Sequence, residues 1–350
     1  MILAFSVLGA HTHGNGILGF RSLGGDQAVE AFFMISGFYM ALVLNQKYKR
    51  GEYWFFIKQR FLRLWPLYFL VLILYVFVFF IMGLINKAPV GPFVTWNENF
   101  HFLNPLSFIL CVLPNLTIFG QDILAFFSVG SIPANTFLII GPAWSLGSEI
   151  NFYLLAPYLV RKSIFFQGSL VCLISLIRFF GWHFYGLQGS LWLDRFFPFE
   201  IPLFLAGSIG YRYYQTHDHW LAGIGSQRPW LKWTLYFLLM AYSRLPGKNE
   251  HKYYFLIPAL FIAIPYLFCI TKNLAWDKYI GELSYPFYLI HAIVIFALEN
   301  LVRNFIPRGL WGFTYALVTL ILSWLAYVLI EKKIESYRHS LEKHHAMTGS

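Results

Sequence analysis

The residues of this chain that invite chemistry are a few histidines, arginines and carboxylates set in apolar surroundings. His11 closes the first apolar run, in VLGAHTHG. An imidazole titrates near neutrality and is a natural general base; a polar tip at a helix end is the alternative. His13 follows two residues on. On a helix the two rings point about 200° apart, so one cavity takes only one of them. Two imidazoles do not make a metal site, and no metal is expected. Arg60 and Arg63, in FIKQRFLRLWPLY, are three apart and share a helical face. Such a pair can fork onto a phosphate-rich ligand; a solvated or headgroup-binding juxtamembrane helix accounts for the same spacing. Pro66 just beyond suits the first turn of the next helix.

Glu149, in WSLGSEINFY, opens another apolar run. A carboxylate at membrane depth costs about 2.5–3.5 kcal/mol and persists with a partner, a water-filled cavity or a task. In the first turn of a helix the dipole would stabilise it instead. Glu30, in AVEAFFMISGF, poses the same alternatives nearer the end of its run. His291, in SYPFYLIHAIV, lies on an apolar face and reads first as a packing residue. Other letter patterns carry less. GNGILG at Gly14 to Gly19 follows a membrane run and precedes no amphipathic helix, which argues against dinucleotide binding. Asn115-Leu116-Thr117 is a sequon inside an apolar segment. Cys111, Cys172 and Cys269 are odd in number and far apart, as small buried hydrophobes are. Gly-x-Ser-x-Gly, Walker A and His-Glu-x-x-His patterns are absent.

The elements that must position these groups follow from composition. In 350 residues, 58% are hydrophobic and 12% charged, where a soluble domain is about a quarter charged. Mean hydropathy is +0.58. These values exclude a soluble enzyme, a disordered chain and a disulfide scaffold, and leave an all-α polytopic membrane bundle. About ten spans are expected: Met1 to His13 (incomplete), Ala28 to Leu44, Leu67 to Ile85, Ala143 to Val160, Ile164 to Phe180, Phe196 to Tyr211, Trp230 to Tyr242, Tyr253 to Ile270, Pro286 to Val302 and Gly312 to Ile330. Phe102 to Ile140 is apolar but broken by Pro and Gly, as a re-entrant or interfacial segment would be. With the N-terminus inside, the inner segments hold most of the 26 Lys and Arg residues, so both termini are expected in the cytoplasm. The net charge of +10 sits in short clusters between apolar runs, which argues against a nucleic-acid partner. No internal repeat or linker divides residues 1–350, so one integral-membrane domain is expected.

Taken in order, five segments resemble a known family: the run ending at His11, GGDQAVEAFFMISGFYMALVL, FIKQRFLRLWPLYFL, WSLGSEINFYLLAPYLV and IGELSYPFYLIHAIV, followed by IEKKIESYRH. Together they resemble the acyltransferase 3 family of bacterial multi-pass membrane O-acyltransferases. The resemblance implies transfer of an acyl group, usually acetyl, from cytoplasmic acyl-CoA to a hydroxyl of a surface or exported glycan, such as a polysaccharide or lipopolysaccharide, at the inner membrane. Its partners would be acyl-CoA as donor substrate, a carbohydrate or glycolipid acceptor and membrane lipid, with no permanently bound cofactor. The family histidine falls on His11, its arginine pair on Arg60 and Arg63, its W-S-L-x-x-E motif on Trp144, Ser145, Leu146 and Glu149, and its acidic or amide position on Glu30. A further family arginine falls at a position preceding Met1. The implied roles are base for His11, orientation or charge balance for Glu149, and CoA phosphate binding for the arginines, with Glu30, Trp144, Ser145 and His291 in support. A transporter or flippase of a glycan or lipid precursor is the rival reading, since membrane carboxylates and arginines also line transport paths.

Overall fold

A computed structural model describes residues 1–12, 16–17, 23–187, 192, 195–242 and 249–348. Thirteen helices run through them: α1 (Ile2–Ala10), α2 (Gly25–Gln46), α3 (Tyr53–Asn86), α4 (Pro92–Asn99), α5 (Pro105–Thr117), α6 (Trp144–Leu159), α7 (Ile164–Phe184), α8 (Phe197–Gln227), α9 (Trp230–Ala241), α10 (Asn249–Thr271), α11 (Ala275–Leu301), α12 (Trp311–Ala326) and α13 (Lys332–Thr348). A π-helical turn, Tyr327–Glu331, joins the last two. The chain is all-α, with a single two-stranded hairpin among the described residues. Each expected span falls on a helix. Five stretches are long and apolar enough to cross a membrane: α2, α3, α7, α11 and the continuous helix over Arg308–Met347. That makes a multi-pass membrane protein; a count of ten does not follow.

Two helix starts differ from expectation, both at a proline. Pro66 lies inside the 34-residue α3, which begins at Tyr53 rather than Leu67. Pro286 lies inside α11, which begins at Ala275. An internal proline lacks its N–H and frees a carbonyl, but neighbouring groups in a membrane bundle can satisfy the break. Pro66 frees the Leu62 carbonyl; two residues on, the Tyr285 hydroxyl of α11 donates to the Leu64 carbonyl at 2.6 Å and ties the two helices together there. Arg60 and Arg63 therefore ride on a helix continuous with the span, not on a separate surface helix.

The core is centred on α2 and α8. A Cβ on Gly37 would sit 1.9 Å from the Phe204 carbonyl oxygen, and one on Gly207 would sit 1.9 Å from that of Met34. Only glycine permits two backbones to come this close. Phe33 and Phe152 stack on opposite neighbours of the same crossing through Phe204, at 4.7 and 4.2 Å between ring centroids. By contrast, Leu173, Leu176, Ile177 and Phe180 of α7 and Ile73, Phe77 and Phe80 of α3 are exposed, as lipid-facing side chains are.

The segment between α5 and α6 is irregular: short 3₁₀ turns and the hairpin of Ser128–Val129 with Ile132–Pro133. Its backbone polar groups find partners within the protein. Asn115 donates to the Cys111 and Phe137 carbonyls and accepts from the Ile139 N–H. Gln121 donates to Pro114 O and to the Tyr68 hydroxyl. Buried irregular backbone persists only when its polar groups are paired in this way. Asp122 then lies against α6, where a Cβ on Gly147 would meet its carboxylate at 2.9 Å. As a result α6 is only 16 residues long, about 24 Å, and starts partway through the bundle.

Candidate active site

Two helices turn polar ladders towards each other. On α6, Ser145, Glu149 and Tyr153 recur at intervals of four. On α11, Tyr285, Tyr288 and His291 recur at intervals of three. Both spacings keep side chains on one helical face. The ladders touch where the Ser145 and Tyr288 hydroxyls lie 2.7 Å apart. Tyr288 donates to the Pro142 carbonyl at 2.6 Å, so Ser145 donates to Tyr288. Pro142 belongs to the turn that starts α6, and this chain of bonds fixes that start against the middle of α11.

At one end sit the histidines. His11 terminates α1, and its Nδ1 lies 2.9 Å from the Val7 carbonyl oxygen. His291 is buried, with Nδ1 2.6 Å from the Tyr288 carbonyl oxygen. A carbonyl only accepts, so in both rings Nδ1 carries the hydrogen and Nε2 keeps the lone pair. The ring centroids are 5.2 Å apart. His291 Nε2 is buried without a hydrogen-bond partner, an acceptor left for something else to fill. His13 lies outside the described residues.

In the middle, Glu149 accepts from Ser36 of α2 at 2.8 Å and from Tyr153 at 2.5 Å. It is held by hydroxyls and forms no ion pair among the described residues. Tyr288 also feels the charges of Arg195, Glu149 and Asp26. The Arg195 guanidinium lies over the Trp144 ring at 4.8 Å, a cation–π contact that ties the motif tryptophan to the chain just before α8.

At the other end sit the arginines. Arg60 is buried, with its Nε unpartnered and its guanidinium 5.7 Å from the Phe56 ring centroid. Tyr48 lies beside it, although the phenol makes no hydrogen bond of good geometry. Arg63 is accessible, among the charges of Glu149, Glu331 and Glu335 and the phenol of Tyr153. Sequence reasoning missed the third member. Arg338 of α13 feels both Arg60 and Arg63, and it is fixed to α3 by a reciprocal pair of bonds with Gln59, Nε to Oε1 at 3.2 Å and Gln59 Nε2 to its carbonyl at 3.3 Å. Three guanidinium groups held together repel one another unless an anion joins them. In the sequence Arg338 lies in IEKKIESYRH, the segment that follows the five family-like stretches.

Glu30 stands apart from both ladders. It pairs with Arg178 of α7 at 3.7 Å. Among the described residues no cluster of His, Cys, Asp and Glu could hold a metal ion.

The histidines and arginines are not at opposite faces. Tyr285 marks the level of Leu64, next to Arg63, and His291 is six residues further along the same helix. At 1.5 Å per residue the separation along the axis is about 9 Å. Imidazoles and guanidinium groups this close can reach two parts of one molecule.

The model of the acyltransferase domain family, Acyl_transf_3, matches residues 1–328. The chain belongs to this family. It is a membrane acyltransferase. The match covers both ladders, both histidines and the paired arginines, and ends before Arg338. The chain is also similar to an uncharacterised protein of Aquifex aeolicus (strain VF5), 27% identical over 214 residues, which cover 58% of this chain and 91% of that protein. No solved structure matches it.

Proposed function

We propose that this acyltransferase moves an acetyl group from acetyl-CoA to a hydroxyl of a surface or exported glycan. The observation that carries the proposal is the polar path from two imidazole acceptors to the arginines, of which Arg63 is about 9 Å away along α11. In this reading Arg60, Arg63 and Arg338 hold the donor's phosphates, and the thioester arm runs along Glu149 and Tyr288 to the histidines. His11 Nε2 takes the proton of the acceptor hydroxyl as its oxygen attacks the thioester carbonyl. The C–S bond then breaks, and the departing CoA thiolate takes that proton from the imidazolium. A base of this kind contributes about 10²–10⁴-fold. His291, one ring away, accepts from a neighbouring hydroxyl of the same sugar and keeps the acceptor beside His11. Glu149 is fixed by Ser36 and Tyr153 and balances the arginines' charge.

The test is thioester loss from acetyl-CoA by purified protein, with and without a glycan acceptor. Acceptor-dependent loss supports the reading; a protein that transports a glycan precursor without consuming thioester contradicts it. We place the protein in the bacterial inner membrane with both termini in the cytoplasm. Reporter fusions after Lys49 and Lys333 should report the cytoplasm and one after Asn99 the outside; Lys49 and Asn99 on the same side would overturn this placement.

A further inference from the structure

A second basic site lies outside the path just described. Where the turn between α2 and α3 meets the end of α6, a recess of about 460 Å³ opens to solvent. Small-molecule sites span about 300–1,000 Å³. Four cations line it: Lys49 and Arg50 from one side, Arg161 and Lys162 from the other. Its single carboxylate, Glu52, is already engaged by the Lys49 N–H at 2.6 Å and by His345 at 3.1 Å. None of the four cations forms an ion pair among the described residues. Arg161 is held in place through Nη2, which donates to the Leu44 and Tyr48 carbonyls, and Arg50 and burial both disfavour its charge. The fold thus holds like charges around an empty space, an arrangement that an anion would relieve.

The walls indicate which anion. Tyr53 and Tyr158 line the recess with ring centroids 5.5 Å apart, and Tyr158 is 60% exposed. Flat aromatic faces accept a stacked base. The inner wall is Tyr48 and Phe56, the two rings beside Arg60. Glu52 to Arg60 is eight residues of α3, about 12 Å. A ligand with phosphates at both levels and a base at the outer one fits this layout better than a lipid headgroup, whose phosphate would stop at the rim.

We propose that this recess binds the phosphorylated adenosine end of the acyl donor, with Arg50, Lys49, Arg161 and Lys162 around its 3′-phosphate and Tyr158 against the base, while the diphosphate reaches inward to the Arg60 cluster. It rests on the acyl-CoA reading above and adds to it a separate subsite that recognises the nucleotide.

The test uses adenosine 3′,5′-bisphosphate, titrated calorimetrically into the full chain in phosphatidylcholine nanodiscs. Wild-type protein should bind it. The double variant Arg50→Ala/Lys162→Ala, at two exposed positions, should bind it roughly tenfold or more weakly, the scale of one lost charge-assisted hydrogen bond. Arg50→Lys should retain most of the affinity, which separates loss of charge from loss of fold. The double variant should also lose the wild type's preference for acetyl-CoA over acetyl-pantetheine, which lacks the nucleotide. Equal affinity in wild type and double variant, or no binding by wild type, would overturn the proposal. So would a defect confined to nanodiscs containing phosphatidylglycerol, which would make the recess a headgroup site. Bisphosphate binding that the double variant weakens, in a protein that transfers no acetyl group, would support the recess and remove the donor reading instead.

Discussion

The α2–α8 crossing and the α6–α11 interface are both helix contacts inside one bundle, yet they are built in opposite ways. At the first, two glycines bring the backbones together and rings seal the sides. At the second, hydroxyls, a carboxylate and an imidazole stand between the helices, and one acceptor on His291 is left unfilled. Dry backbone contact joins one pair of helices, while hydrogen-bonding side chains join the other.

The sharpest way to break this contrast is to put a side chain into the dry crossing. Gly37→Leu or Gly207→Leu should remove folded protein from detergent extracts, because the first added carbon already overlaps a carbonyl that cannot move without its helix. Size-exclusion profiles check this, and a monodisperse, active Gly207→Leu protein would erase the contrast. The polar interface should respond in activity instead. His11→Ala should lower acetyl transfer by about 10²–10⁴-fold at an unchanged melting temperature, and His13→Ala should leave most activity. Equal losses from both would point to general disruption of the helix end.

At the arginine end the loss should be smaller and confined to the donor. Arg63→Ala should weaken acetyl-CoA binding by roughly ten- to a hundredfold. Lysine should rescue poorly at Arg60 and Arg63, since an ammonium cannot reproduce the fork; full rescue at both would reduce the pair to placed charge. The smallest effect concerns Asp122, under the irregular segment. Burial pushes its carboxyl up to about 6 from an ordinary 3.8. The folded state therefore holds the proton more tightly than the unfolded chain does. Stability should rise as pH falls from about 6 towards 4 and be lowest, and flat, above 6. Asp122→Asn should remove that slope and raise the melting temperature at pH 7, by a free energy on the order of 2–3 kcal/mol. A wild-type melting temperature that does not change between pH 4 and 7 would contradict the assignment.

Much of this was legible in the sequence, and the gaps have physical causes. Apolar runs betrayed the helices, because a bilayer demands them. Pro66 and Pro286 misled, since proline marks a helix start in water but can sit mid-helix where neighbouring helices pack around the break. His11, Arg60, Arg63 and Glu149 stood out as polar groups in apolar surroundings. Tyr153, Tyr285 and Tyr288 did not, because a tyrosine in an aromatic-rich chain gives no sign that its hydroxyl will be used. Arg338 was hidden by distance: its partner Gln59 is 279 positions away, and no spacing rule reaches that far. Glu30 was conspicuous for the same reason as Glu149, yet it faces α7 rather than the ladders.

In the proposed mechanism the two ends of one polar path divide the work, imidazoles for chemistry and arginines for the donor. Steady-state kinetics with acetyl-CoA on His11→Ala and Arg63→Ala, side by side, separate the two. His11→Ala should lower kcat by at least about a hundredfold with donor affinity unchanged, whereas Arg63→Ala should raise KM for acetyl-CoA and recover most of kcat at saturation. Matching losses in kcat and KM from the two variants, or normal turnover by His11→Ala, would contradict it.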